Sequence, residues 1–263
     1  MRFMEYGFAT PFACSQDIPD YDFLRAVKEA GFDYVELPGT LIGGLEEERF
    51  AYLCRFLEDI GLKCKRICAL LPGRINFLTY DKADYRVYVE MLFERFSRLG
   101  VESIGYGSGM SRNIPENMPL PEAESRFADI LVKNYLPCLV KYGMTLNIEP
   151  LRTEETNFLN TVRQTALFLE KVGDPHFGIV ADTMHMMTMK EKPEEISEKY
   201  LDYIGHFHVS EIGRVLPAHS YSTECRTFIR TMLDHGYQKA ISFETKCEKI
   251  EDLKSALTLI RAI

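Results

Sequence analysis

The sequence predicts a (β/α)8 barrel, and three observations carry that expectation. Eight short β-branched or aromatic runs alternate with eight longer stretches of helical period. Six of those helical stretches close on a glycine (Gly31, Gly61, Gly100, Gly143, Gly173 and Gly236). That is what a left-handed C-cap requires, and each glycine leads within a few residues into the next strand. Eight such units in 263 residues is the size of one closed barrel. An open, doubly wound sheet is the alternative, but the chain has no GxGxxG and no P-loop to support it. No Gly-, Ser- or Pro-rich linker and no shift of composition divides the chain, so residues 1–263 are expected to form a single barrel domain.

Taken in order, Phe3 to Ala9 reads as the first strand and Tyr21 to Ala30 as the first helix. Tyr34 to Leu37 and Lys65 to Leu70 are the next strands, separated by a helix over Glu46 to Ile60. A helix over Asp84 to Leu99 leads to a strand over Glu102 to Tyr106. The long helical stretch Glu122 to Tyr142 is expected to be interrupted near Pro137, whose ring cannot donate to the helical ladder. Thr145 to Glu149 is the fifth strand, followed by a helix over Thr161 to Val172. Phe177 to Asp182 is the sixth strand, Pro193 to Tyr200 a short helix and Ile204 to His208 the seventh strand. Ser222 to His235 is a helix, Ala240 to Glu244 the last strand, and Ile250 to Ile263 the closing helix.

Composition excludes several classes. With 46% hydrophobic and 27% charged residues the chain is an ordinary globular protein that needs no staple to fold. A net charge of −8 counts against general affinity for a nucleic-acid backbone. No apolar stretch approaches the ~18 residues that span a membrane. Met1-Arg2-Phe3-Met4-Glu5 puts a carboxylate where a signal peptide would be apolar. The seven cysteines, an odd number, are therefore expected to be reduced thiols in a cytoplasmic protein. Cys64 and Cys68 stand four apart, which does not suit a CxxC pair and reads as strand filling.

In such a barrel the chemistry sits where strands end at the C-terminal face. Strands five to eight end in Glu149, Asp182, His208 and Glu244. Three carboxylates buried together need a cation, and this O,O,N,O set suits Mn2+, Mg2+ or Co2+, with Zn2+ also compatible. His185 lies three residues after Asp182, in the loop leaving the sixth strand, and can face the same mouth. His206 shares a strand face with His208 one layer down and reads as a hydrogen-bonded core histidine, while His176, His219 and His235 read as surface. Tyr6, Phe8 and Phe12, near the end of the first strand, suit either an apolar wall against a ligand or core packing.

These segments resemble the xylose-isomerase-like barrel superfamily of sugar isomerases and epimerases. The motifs are Ile148-Glu149-Pro150-Leu151 followed by Glu155 to Thr161, Asp182-Thr183-Met184-His185-Met186, His206-Phe207-His208-Val209 with Glu211, Arg214 and Pro217, and Ser242-Phe243-Glu244. They cover about half the chain. The first half matches only in rhythm, with Val35-Glu36-Leu37 as a common ending of the second strand. The spacing is most similar to the D-tagatose 3-epimerase group of ketose 3-epimerases. That resemblance implies one divalent ion, Mn2+ first among the candidates, on Glu149, Asp182, His208 and Glu244. It also implies substrate-binding roles for Glu155, His185 and Arg214. Thr188-Met189-Lys190 replaces the acidic pair that often follows the Asp-x-x-His-Met motif, and the fourth strand ends in Gly105-Tyr106-Gly107, so the sugar stays open.

The expected reaction is proton abstraction at C3 of a ketose through a cis-enediolate, with Glu149 and Glu244 as the acid–base pair on opposite faces. His185 and Arg214 would bind the O2 side and Glu155 a hydroxyl. The same site type suits an aldose–ketose isomerase or a keto-sugar or inosose dehydratase. A sugar phosphate is a further alternative, with Lys246, Ser220, Ser222 and Arg214 near where barrels bind phosphate. An apurinic endonuclease needs extra histidines on earlier strands, and there is none before His176. A non-catalytic sugar-binding barrel would not need both Glu149 and Glu244. A small sugar is thus the expected partner, and analogy with the resembled enzymes implies a homodimer.

Overall fold

The computed structural model describes residues 4–14, 18–76, 78–79 and 82–263. Eight parallel strands close on themselves in chain order: β1 (Tyr6–Ala9), β2 (Tyr34–Pro38), β3 (Lys63–Cys68), β4 (Ser103–Tyr106), β5 (Thr145–Ile148), β6 (Phe177–Asp182), β7 (Ile204–Val209) and β8 (Ile241–Glu244). Ala9 of β1 pairs with Glu36 of β2 on one side and Glu244 of β8 on the other, so no sheet edge is left open. The fold is the (β/α)8 barrel that the strand–helix rhythm predicts.

The outer layer holds α1 (Tyr21–Ala30), α2 (Gly39–Gly44), α3 (Glu47–Asp59), α4 (Lys82–Leu99), α5 (Leu120–Ile130), α6 (Leu136–Tyr142), α7 (Val162–Val172), α8 (Thr183–Thr188), α9 (Pro193–Lys199), α10 (Thr223–Asp234) and α11 (Glu251–Arg261). All six predicted glycine caps have positive φ. At the other helix ends, Asp20 caps α1, Thr161 caps α7 and Ser222 caps α10, each side chain accepting a first-turn N–H. A cap of this kind stabilises a helix by about 1 kcal/mol. Among the described residues, no helix is long and apolar enough to cross a membrane. All seven cysteines are free thiols.

Three details differ from the sequence expectation, and the interruption expected near Pro137 is found. The six-residue helices α2 and α8 are too short to show a helical period. The third strand runs two residues earlier than expected, because Ala69 turns to φ 42 and ends it. The long helix is broken by a π-helical turn over Leu131–Tyr135, just ahead of Pro137, where the missing N–H leaves the ladder to widen. The first strand starts at Tyr6, and Phe3 falls outside the described residues.

Strand side chains alternate between the helix layer and the barrel axis. Phe8 faces the helices, edge-on to Phe23 and Phe32 with ring centroids 5.5 and 5.6 Å away. Burying such a side chain contributes about 1.5–3 kcal/mol. The axis is polar. Tyr34 Oη and Ser242 Oγ are 2.7 Å apart, the Arg66 guanidinium lies 4.6 Å from the Tyr34 ring centroid, and Asn147 Nδ2 donates to Ser103 Oγ at 2.7 Å. Asn147 occupies the space that a Cβ at Gly205 would need, its Cγ only 2.7 Å from that position.

Candidate metal centre

Each strand end delivers its side chain to the mouth by a local device. Glu149 follows β5 directly, and its N–H donates to Tyr106 O at 3.1 Å. The fully buried Arg112 donates to Glu149 O at 2.6 Å and to Tyr106 O at 3.1 Å, tying the ends of β4 and β5 together. Burial lowers the Arg112 pKa to about 10, which still leaves the guanidinium charged at neutral pH. Gly107 makes room for the Glu149 carboxylate, since a Cβ there would stand 3.2 Å from Glu149 Cδ and closer still to Oε2. Asp182 caps α8, its Oδ1 accepting from His185 N at 3.1 Å while Oδ2 faces the axis.

The structure brings Glu149, Asp182, His208 and Glu244 together, one ligand atom from each lying within 4.8 Å of the others. His208 Nδ1 is 3.6 Å from Glu149 Oε1, 3.9 Å from Asp182 Oδ2 and 3.5 Å from Glu244 Oε2. These are not hydrogen-bond lengths. Donors held at ~2.1 Å around one ion stand about 3.0–3.4 Å apart, so a small inward relaxation fits this set to a cation. Glu149 Oε1 and His208 Nδ1 are buried without a hydrogen bond, which is costly unless something else binds them, while Glu244 Oε2 is ion-paired with Arg214 at 2.8 Å. A second triad, Glu36 with His206 and His208, is spaced differently. Its contacts of 2.5 and 3.1 Å are hydrogen bonds, with no room for an ion between the atoms.

Charge in the site is divided unevenly. Burial and the neighbouring Glu244 push Glu149 up to about 7. Burial also acts against Glu244, but Arg214 and His208 outweigh it and bring its pKa down to about 2. Arg214 Nη1 lies 2.5 Å from Asp182 Oδ2 and 2.8 Å from Glu244 Oε2. Its backbone is left-handed at φ 62, directly after Gly213 at φ 80, and this tight turn swings the side chain over the mouth. A non-glycine residue in that conformation costs roughly 1–2 kcal/mol. The turn is pinned by Lys246 N–H donating to Arg214 O at 2.8 Å.

His185 is buried and sits between two donors, Arg214 Nη2 at 2.8 Å from Nε2 and the Arg152 N–H at 3.3 Å from Nδ1. A neutral imidazole accepts from only one of them. Burial and Arg214 hold the His185 pKa below its ordinary value, against the pull of Asp182. Glu155 stands at the rim, paired with Arg152 at 2.8 Å. The mouth encloses about 400 Å3, lined on its apolar side by Phe12, Leu151 and Met184. Of the three aromatics near the first strand only Phe12 faces it. Phe8 packs outward, and Tyr6 lies under the Arg261 guanidinium, 5.6 Å from the ring centroid. Ser222, a residue of the phosphate alternative, is engaged by Glu211, which accepts from its hydroxyl and its N–H at 2.7 Å.

Glu36 is the residue that strand-end reasoning passes over. It is fully buried inside the barrel, and its two oxygens accept from His206 Nε2 and His208 Nε2. The charges of His206 and His208 outweigh burial and hold its carboxyl well below the usual range. His206 also contacts Ala240 O at 3.1 Å, which makes it the hydrogen-bonded core histidine the sequence suggests. Its two acceptor partners favour a proton on each nitrogen, whereas burial lowers its pKa to about 4, so the contacts and the cost of burying charge oppose each other there.

A family model described as xylose isomerase-like TIM barrel matches residues 24–263. The chain is 27% identical over 242 residues to an L-ribulose 3-epimerase of Mesorhizobium japonicum, a match covering 87% of the chain and 76% of the relative. It is 23% identical over 200 residues to a D-psicose 3-epimerase of Agrobacterium fabrum, covering 74% of the chain and 68% of the relative. A crystal structure of a D-psicose 3-epimerase in the presence of D-fructose superposes with a TM-score of 0.82 at 19% identity, covering 99% of each chain.

Proposed function

The chain belongs to the xylose isomerase-like TIM barrel family, and on that premise we propose that it is a divalent-metal-dependent sugar epimerase, specifically a ketose 3-epimerase. One observation carries the metal site: two buried donor atoms, Glu149 Oε1 and His208 Nδ1, face each other without hydrogen bonds, with Asp182 Oδ2 and Glu244 Oε2, both paired with the Arg214 guanidinium, beside them. Glu149, Asp182, His208 and Glu244 would hold the ion, and a set of three carboxylate oxygens and one imidazole nitrogen suits Mn2+ best, with Mg2+, Co2+ and Zn2+ compatible. When bound, the cation polarises the ketone oxygen of the substrate and so acidifies the neighbouring C3. The names of the two relatives, both 3-epimerases, support the reaction class.

Glu149 and Glu244 come from β5 and β8 and approach His208 Nδ1 from different strands. One carboxylate removes the C3 proton, and the other returns a proton to the opposite face. The roles exchange in the reverse direction. His185 and Arg214 bind the O2 side of the sugar. A substrate oxygen gives His185 the acceptor it lacks while its other nitrogen faces a donor. Glu155, held by Arg152, binds a hydroxyl at the rim, and Phe12 covers the apolar side. The carboxylate of Glu211 beside Ser222 supports a free ketose over a sugar phosphate. Crystals grown with Mn2+ test the site: an anomalous-difference map is expected to show one peak among the four ligands. No peak there, or a cluster of three, would contradict the reading.

A further inference from the structure

We infer that Glu36 is the positioning residue that makes His208 a metal ligand through Nδ1. This rests on the metal site proposed above. An imidazole ligates through a bare nitrogen, and the other nitrogen must then carry the proton. His208 lies within the run of β7, and the bond to its partner in β2 spans 172 positions of sequence. Its Nε2 is 3.1 Å from Glu36 Oε2, and a carboxylate oxygen in that place accepts. Nε2 therefore carries a proton, and Nδ1, the nitrogen left to bind an ion, is turned toward Glu149, Asp182 and Glu244.

The other oxygen of Glu36 is fixed by His206 Nε2 at 2.5 Å, and His206 is braced against Ala240 O. Glu36 thus cannot rotate away without breaking two buried hydrogen bonds. Carboxylate, histidine and metal site form one chain of contacts, and outer partners of this kind set ligand orientation and basicity. Losing one typically costs 10–100-fold in metal affinity.

Glu36→Gln keeps the shape of the side chain but offers an amide NH2 to one of the two histidines. If the NH2 meets His208, the proton moves to Nδ1 and blocks the ligand atom. The test has two independent readouts. Titrating the full chain with Mn2+ by calorimetry is expected to show one ion per wild-type chain and 10–100-fold weaker binding by Glu36→Gln, with the melting temperature of the two proteins similar. Separately, 15N spectra of histidine-labelled wild-type protein without added metal are expected to show a proton on His208 Nε2 at every pH, whether or not the carboxylates around Nδ1 hold a second proton there. An Nδ1–H tautomer in the wild type overturns the inference even if the variant fails to fold. Equal Mn2+ affinity in folded Glu36→Gln and Glu36→Leu proteins also overturns it, since leucine removes the acceptor whichever way the glutamine amide turns. A wild-type chain that binds no Mn2+ but keeps the proton on His208 Nε2 refutes the metal site and leaves the role of Glu36 in orienting His208 standing.

Discussion

Replacing Gly107 by alanine separates catalysis from stability. The new Cβ would stand 3.2 Å from Glu149 Cδ and closer still to Oε2, whereas carbon atoms rest about 3.5–4.0 Å apart. The Glu149 carboxylate must therefore retreat by roughly 1 Å, and a displacement of that size at a reacting group costs on the order of 100-fold in rate. The group that yields is the far end of a flexible side chain, so the barrel itself is little disturbed. Gly107→Ala should thus lower kcat/KM on a ketose about 100-fold while its melting temperature stays close to that of the wild type. Gly205→Ala is the contrasting case. Its Cβ would meet Asn147 Cγ at 2.7 Å, and Asn147 is held by Ser103 inside the barrel. Overpacking of this kind costs about 1–3 kcal/mol, or roughly 2–4 °C of melting temperature for each kcal/mol in a protein of this size. Steady-state kinetics and thermal melts on both variants decide the matter. A Gly107→Ala enzyme with wild-type kcat/KM would refute the placement of Glu149 at the reacting carbon.

Glu149→Gln and Glu244→Gln are each expected to slow epimerisation by at least about 100-fold, because either change leaves one face of the carbon without its proton transfer; turnover assays check this. His185→Ala and Arg214→Ala should raise KM or lower kcat while metal content stays near one per chain, read by elemental analysis of the purified variants. Loss of the ion in His185→Ala would make His185 a ligand, and its loss in Arg214→Ala would show that Arg214 holds the ligands Asp182 and Glu244 in place. Stability should also carry a pH signature from Glu191, which burial pushes up to about 8 and which accepts from Val162 N–H at the start of α7. A carboxyl whose folded pKa is raised binds its proton more tightly when folded. Its stabilising effect is therefore complete below about pH 4.5 and is lost as the pH rises through about 8. Glu191→Gln should flatten that part of the melting-temperature profile, and an unchanged slope would show that another group is responsible.

The barrel was legible because its signals are local: glycine caps, strand runs and the polar residues that end strands five to eight. Glu149, Asp182, His208 and Glu244 could be read off as a set because each closes a strand. Glu36 and Arg112 were not, because their partners are remote. Glu36 bonds to histidines on β7, and Arg112 to the carbonyl of Glu149. The sequence does carry one signal for Glu36, a lone carboxylate in the otherwise apolar run Tyr34-Val35-Glu36-Leu37-Pro38, all five residues buried. The aromatics near β1 went unresolved because alternation gives two faces without saying which is inside, and Phe8 proved to face the helices. The left-handed turn that carries Arg214 over the mouth was hidden because only one of its two residues is a glycine.

Solvent isotope exchange tests the proposed reaction most directly. A panel of free and phosphorylated ketoses is incubated with the enzyme and Mn2+ in D2O, and the products are read by NMR. The account predicts that a free ketose is converted to its C3 epimer, with deuterium at C3 and none at C1. Deuterium at C1 or an aldose product would contradict it in favour of isomerisation, and loss of water from the product would contradict it in favour of dehydration.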